Sequence, residues 1–107
     1  MASGANKNYT DFYLGTGASQ EISVGGFDPR YVRIVKLTDG TSTEYWRGME
    51  SAGAASAGGF TRDVAGAATP LTAAEGVSQV ADVQGFLVGT SAAVNELDVL
   101  YAYIAND

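Results

Sequence analysis

The segment Tyr31–Leu37 reads Tyr-Val-Arg-Ile-Val-Lys-Leu, and no other part of the chain has so clear a strand pattern. Its β-branched residues disfavour a helix and fit the pleated surface of a sheet. Asp39 and Gly40 follow this segment, and because both tolerate a positive φ they predict a tight hairpin turn. The returning strand is predicted over Thr43–Arg47. The centre of the fold is therefore expected to be a β-hairpin.

Short apolar runs separated by glycine-rich turns extend in both directions from this hairpin. Asp28-Pro29 marks a turn just before it, because proline presets the φ of a bend. Further strands are predicted over Tyr9–Leu14, Glu21–Val24, Val77–Val83, Gly85–Gly89 and Leu97–Ile104. Six or seven short strands with frequent turns indicate an all-β domain over residues 1–107, either a small sandwich or a barrel.

The middle of the chain has a different composition. Residues Ser51–Gly76 are mostly Ala, Gly, Ser and Thr, with too many glycines for a stable helix. We predict a long Gly/Ala-rich loop here, with a short strand near Phe60 and at most one helical turn at Thr72–Glu75. A loop of that length in a small domain is usually functional or disordered.

The composition argues against catalysis. The 107 residues include no histidine and no cysteine, which removes the usual general base, the common nucleophile pairs and zinc sites. Asp39 and Glu44 flank the hairpin, where paired carboxylates could act on glycosides, but solvated hairpin carboxylates are the more common case. Glu96 and Asp98 supply too few oxygens for calcium. We expect no enzyme, cofactor, metal or small-molecule substrate.

The charge and the apolar pattern also limit the partners. A formal net charge of −6 disfavours binding to the phosphates of nucleic acids. No apolar stretch reaches the roughly 18 residues needed to cross a bilayer, so no membrane partner is expected. The first eight residues contain no apolar h-region, which predicts that there is no signal peptide.

Several predicted strands carry bulky apolar side chains on both faces. Successive residues of a strand point to opposite sides, so Leu100, Ala102 and Ile104 share one face of the closing strand. The other face is formed by Val99, Tyr101 and Tyr103, and neither side is polar. Two explanations are open: loops of the same chain cover the second face, or another protein chain covers it.

If another chain covers that face, aromatic residues and arginine are the expected contacts, because interface centres are enriched in them. The candidate interface residues are Phe27, Tyr31, Tyr45, Trp46, Arg47, Phe60, Tyr101 and Tyr103.

Four sequence features together resemble a family of small structural proteins encoded by tailed bacteriophages. They are Gly-Phe-Asp-Pro-Arg-Tyr-Val-Arg at 26–33, Tyr-Trp-Arg-Gly-Met at 45–49, Gly-Phe-Leu-Val-Gly-Thr at 85–90 and an apolar, aromatic closing strand. The first block is the distinctive one. The closing strand departs from the family because Tyr101-Ala102-Tyr103 stands where a second tryptophan is expected.

The resemblance implies a virion protein of the capsid decoration, or cement, type. Such proteins bind the outside of the expanded capsid, often as trimers, and staple neighbouring capsomers together. The implied partners are the major capsid protein and further copies of this chain, with trimers favoured. The implied location is the capsid exterior, after synthesis in the host cytoplasm. The alternative is a tail, baseplate or fibre module that binds other virion proteins or host carbohydrate, since exposed Tyr and Trp also suit stacking on sugars.

Overall fold

The computed structural model describes residues 8–79 and 84–107, and within them the chain is all-β, as predicted. These residues form nine strands, one short helix and two 3₁₀ turns. The strands are β1 (Asn8–Leu14), β2 (Gln20–Ser23), β3 (Tyr31–Lys36), β4 (Ser42–Trp46), β5 (Phe60–Arg62), β6 (Ala68–Pro70), β7 (Val77–Gln79), β8 (Gly85–Val88) and β9 (Leu100–Asn106). The helix α1 spans Ala92–Asn95, and the 3₁₀ turns span Met49–Ala52 and Ala54–Ser56.

The strands form two antiparallel sheets in a sandwich-like arrangement. The larger sheet has six strands in the order β1-β9-β3-β4-β5-β6, and the smaller has three in the order β2-β8-β7. β1 and β9 come from opposite ends of the described chain and pair along seven residues without a bulge. The core lies between the sheets, so each sheet has one inner face and one outer face.

The predicted central hairpin is confirmed by the pairing of β3 with β4. Lys36 donates its backbone N–H to the carbonyl of Thr41 across the turn at 2.8 Å, and Gly40 has a φ of 81°. Asp39 Oδ1 accepts from the N–H of Thr41 at 2.9 Å, which fixes the bend. Both strands end one residue earlier than predicted, and Leu37 belongs to the turn.

A cluster of tyrosines lies in the core and contacts the elements that pack against the larger sheet. The rings of Tyr13 and Tyr101 stack with centroids 5.1 Å apart, and Tyr103 meets Phe86 edge-on at 5.2 Å. The Tyr13 hydroxyl donates to the carbonyl of Val94, and burial raises the pKa of Tyr13 far above its ordinary value. The Tyr13 phenol therefore stays neutral and acts as a fixed hydrogen-bond donor.

The middle of the chain is more ordered than the predicted loop. The short strand near Phe60 is present as β5, but it pairs with a further strand, β6, that the sequence did not indicate. Gly58 donates to the carbonyl of Leu71 at 2.8 Å and accepts from the N–H of Val77 at 2.9 Å. The Gly/Ala composition thus allows close backbone packing, because small side chains let neighbouring segments approach. The residues after Thr72 make one turn, as predicted.

The last third of the chain requires two corrections. The closing strand begins at Leu100 and not at Leu97, because Asp98 adopts a positive φ of 64° and turns the chain. The preceding residues include the helix α1, which the sequence pattern did not predict. The predicted strand Val77–Val83 is present over Val77–Gln79, and residues 80–83 lie outside the described residues.

Candidate interaction surface

Alternate residues of the six-stranded sheet point away from the core and form what we call the outer face. Strand register defines its members, since residues directly opposite one another share a side of the sheet. They are Asn8, Thr10, Phe12 and Leu14 of β1; Leu100, Ala102, Ile104 and Asn106 of β9; Tyr31, Arg33 and Val35 of β3; Ser42, Glu44 and Trp46 of β4; Phe60 and Arg62 of β5; and Ala68 and Pro70 of β6.

Large apolar side chains are concentrated on this face. Of the nine large hydrophobic residues that are exposed in the described ranges, six belong to the outer face: Phe12, Leu14, Trp46, Phe60, Leu100 and Ile104. Phe12 is 60% exposed and Leu14 is 53% exposed. Together such groups expose on the order of 500 Å², which is as large as the biggest apolar patch of a typical monomer.

The smaller sheet shows the contrasting pattern. Its outward residues include Glu21 and Ser23 of β2 and Ser78 of β7, with Leu87 of β8 half-buried among them. A polar outer face is what an antiparallel sheet in contact with water normally has. The apolar character is therefore specific to the outer face of the larger sheet.

A shallow hollow of about 270 Å³ lies on the β1–β9–β3 part of the outer face. Ala102 forms its floor, because this small residue lies between Phe12 on β1 and Val35 on β3 in one cross-strand row. Ile104 and Arg33 stand beside it. A hollow with apolar walls and a guanidinium at its edge can receive a bulky apolar side chain of a protein partner.

The outer face has few acidic residues on a strongly acidic chain. Glu44 is the one carboxylate among its members, and Arg33 and Arg62 give it two positive charges, although the chain as a whole carries −6. Glu44 accepts a hydrogen bond from the Tyr31 hydroxyl at 2.6 Å. Burial, followed by this bond, raises the pKa of Tyr31 to about 12, so the phenol remains a neutral donor. Like-charge repulsion toward an acidic partner is therefore weak at this face.

Four of the predicted interface residues are exposed or half-exposed. Tyr31 and Trp46 lie side by side on the outer face, their ring centroids 5.4 Å apart, and Phe60 lies on the same face. Arg47 follows β4 and is exposed. With its amide oxygen turned toward Arg47, Gln79 accepts from Nε at 2.6 Å and from Nη2 at 2.7 Å. Arg47 therefore links β4 to β7.

The other four predicted interface residues require a correction. They are buried in the core of this chain: Phe27, Tyr45, Tyr101 and Tyr103. Their bulk is used between the two sheets, so their side chains are not available to a partner. The apolar residues that take their place on the surface are Phe12, Leu14, Leu100 and Ile104. The apolar face predicted for the closing strand already pointed to Leu100 and Ile104 as surface residues. That Phe12 and Leu14 are also on the surface became clear only from the pairing register of β1.

The carboxylates considered for catalysis or metal binding have structural contacts. Asp39 fixes the hairpin turn, and Glu44 holds Tyr31. Glu96 accepts from Lys36 Nζ at 2.6 Å, and this bond raises the pKa of the lysine. Among residues 8–79 and 84–107 there is no group of three or more carboxylates placed to hold a metal ion.

Comparisons of the chain with protein-family models, with curated proteins and with solved structures gave no match. In the part of the chain that is described, no helix has the length and hydropathy to cross a membrane.

Substitution of Trp46 tests whether this residue serves the outer face or the core. Because Trp46 is 47% exposed and contacts Tyr31 on one side, we expect Trp46→Ala to lower the free energy of unfolding by only about 1 kcal/mol. Chemical denaturation followed by circular dichroism measures this change. A loss of cooperative folding in the variant would assign Trp46 to the core and remove it from the interaction surface.

Proposed function

We propose that this protein is a structural, non-enzymatic virion component that decorates a bacteriophage capsid. The observation that carries the proposal is the outer face, which is broad, apolar and poor in acids, and is not covered by the described residues. A free monomer in water gains nothing from such a face, whereas a protein that works by adhesion uses it as its contact surface.

We assign the major capsid protein as the binding partner that covers the outer face. Six strands spaced about 4.8 Å apart make a surface roughly 25 Å wide, which suits a broad and fairly flat partner such as a shell. Because eleven of the twelve acidic residues lie elsewhere on the chain, this side offers little repulsion toward a negatively charged surface. The sequence resemblance to phage decoration proteins at residues 26–33 supports the same role.

Capsid stabilisation follows from many modest contacts. An interface of standard size buries about 800 Å² on each partner, and the apolar part of the outer face can supply most of that. A decoration protein binds a shell at many symmetry-related positions, so a contact that is weak for one copy becomes strong for the array. The hollow over Ala102 offers an anchor point in the half of the face that ends at β1, and Trp46 and Phe60 extend the contact toward β5.

A paired-variant experiment tests the outer face directly. We expect the double substitution Phe12→Ser with Ile104→Ser to weaken co-sedimentation with expanded capsids by at least about tenfold, because two anchors beside the hollow are lost. The matched control is Val64→Ser with Leu97→Ser, which removes two exposed apolar residues that lie in turns and are not members of the outer face. Equal binding by both double variants would contradict the assignment of the face.

The location in the virion is tested separately. A gold label at Asp107, which is exposed, is expected to mark the whole shell in electron micrographs. A label restricted to the tail would overturn the capsid role and favour the alternative of a tail, baseplate or fibre module.

A further inference from the structure

Strand β1 is an edge of the six-stranded sheet, and its hydrogen-bonding groups alternate between β9 and the open side. Gly15 donates its N–H to the carbonyl of Val99 at 2.8 Å, which continues the ladder from the odd-numbered residues of β1. In an antiparallel strand, the N–H and C=O of one residue point to the same side, and those of the next point to the opposite side. The even-numbered residues of β1 therefore direct their backbone groups to the open edge.

Side chains of the same molecule already satisfy two of these edge groups. Asp11 Oδ1 accepts from the N–H of Phe12 at 2.8 Å, and Gln20 Nε2 donates to the carbonyl of Leu14 at 3.0 Å. At Thr10, by contrast, no hydrogen bond within the described residues reaches either the N–H or the C=O. Within that part of the chain, Thr10 thus offers one open donor and one open acceptor on the open side of the strand, at the third of its seven positions.

We propose that a second copy of this chain pairs with β1 in antiparallel fashion, about a two-fold axis at Thr10. Thr10 of each copy donates to the carbonyl of Thr10 in the other, and Asn8 of each copy lies opposite Phe12 of the other. The central pair is self-complementary, as an interface with two-fold symmetry requires.

Registers shifted toward the C-terminus are less favourable. A shift of one residue toward the C-terminus places Asp11 directly opposite Asp11 of the second copy, and like charges in that position are destabilising. A shift of two residues uses the carbonyl of Leu14 in addition to the N–H of Phe12, so the bond from Gln20 is disturbed as well as the bond from Asp11. The register centred on Thr10 makes its central pair from open groups and leaves the bond from Gln20 in place, while its outer pairs of Asn8 with Phe12 replace the bond from Asp11.

The pairing joins the outer faces of two copies into one surface twelve strands wide. Few residues per strand take part, so the contact area is well below the roughly 1,600 Å² of a standard interface, and the free dimer is expected to be weak. On a shell, where copies bind side by side, the same contact gains from high effective concentration. The two-fold geometry gives a dimer, in contrast to the trimer that the sequence resemblance implies.

The absence of cysteine from the chain allows a sharp test with the free protein. In the proposed register, the two Thr10 Cα atoms lie about 5.5 Å apart, within the range that a disulfide bridges. We expect the Thr10→Cys variant to form a disulfide-linked dimer under mild oxidation at least about tenfold faster than Asn8→Cys. Asn8 is the matched control because it is exposed on the same strand and face, but lies four positions along the ladder from Asn8 of the other copy.

The outcomes separate this proposal from the capsid role. Equal cross-linking rates for Thr10→Cys, Asn8→Cys and a Thr69→Cys variant on the opposite edge would overturn the pairing. A second variant, Thr10→Pro, removes the edge N–H without breaking a bond to β9, and its sedimentation is expected to show less dimer than the parent protein at every concentration. If Thr10→Cys cross-links rapidly but the protein does not bind capsids, the result supports the proposed dimer and contradicts the decoration role.

Discussion

Gly58→Ala is expected to lower the free energy of unfolding by about 3 kcal/mol or more, and the melting temperature by roughly 10–20 °C. A Cβ at Gly58 would overlap the carbonyl oxygen of Thr72 and lie 3.1 Å from the Cα of Gly76. Both neighbours are backbone atoms, so no side chain can rotate away to make room. The Gly58 backbone also bonds to Leu71 and Val77, and these bonds must lengthen when the segments separate.

The control for this variant is Gly25→Ala. The added Cβ at Gly25 has no atom within 4 Å, and no positive φ disfavours alanine at that position. The free energy of unfolding is therefore expected to change by less than about 0.5 kcal/mol. Denaturant titrations of both variants measure the difference. A Gly58→Ala variant as stable as the control would mean that the middle segment does not pack closely against Thr72.

Asn95→Ala is expected to cost about 3 kcal/mol of unfolding free energy, because this fully buried amide joins separate segments of the chain. Its Oδ1 accepts from the Thr16 N–H and from Gln20 Nε2, both at 2.9 Å. Its Nδ2 donates to the carbonyls of Ala18 at 2.6 Å and Gly89 at 2.8 Å. Removal of the amide leaves these groups without that partner, and water must enter to solvate them.

Two comparisons distinguish the loss of these hydrogen bonds from the loss of packing. Asn8→Ala removes the same side chain from an exposed position, so we expect a change of less than about 0.5 kcal/mol. Asn95→Asp keeps the shape and one acceptor but places a carboxylate against two carbonyls. That environment raises the pKa of the new carboxyl, so its destabilisation is expected to shrink as the pH falls toward about 4, where the protonated acid can donate. A pH-independent cost would contradict a role for the donated bonds.

The contacts of Asn95 and Gly58 could not be predicted from the amino-acid sequence. Nothing near Asn95 in the sequence indicates a buried amide, because its partners Thr16, Ala18 and Gln20 are 75 to 79 residues away and meet it only in the folded chain. The composition around Gly58 indicated a loop, whereas its close approach to Thr72 depends on how distant backbone segments pack. The sequence pattern therefore does not predict hydrogen bonds and close approaches between segments that are distant in the chain.

The all-β class, the central hairpin and the surplus of apolar side chains were all predictable from the amino-acid sequence. These features are local, since β-branched runs, positive-φ turn residues and two-residue alternation act within a few positions. Which apolar face is covered, by contrast, depends on the packing of distant segments. Tyr101 and Tyr103 turn inward because the smaller sheet and its flanking segments pack over them, whereas Phe12 and Ile104 remain outside because no described segment covers that side. Strand order and register are long-range properties, and the pattern within one strand does not contain them.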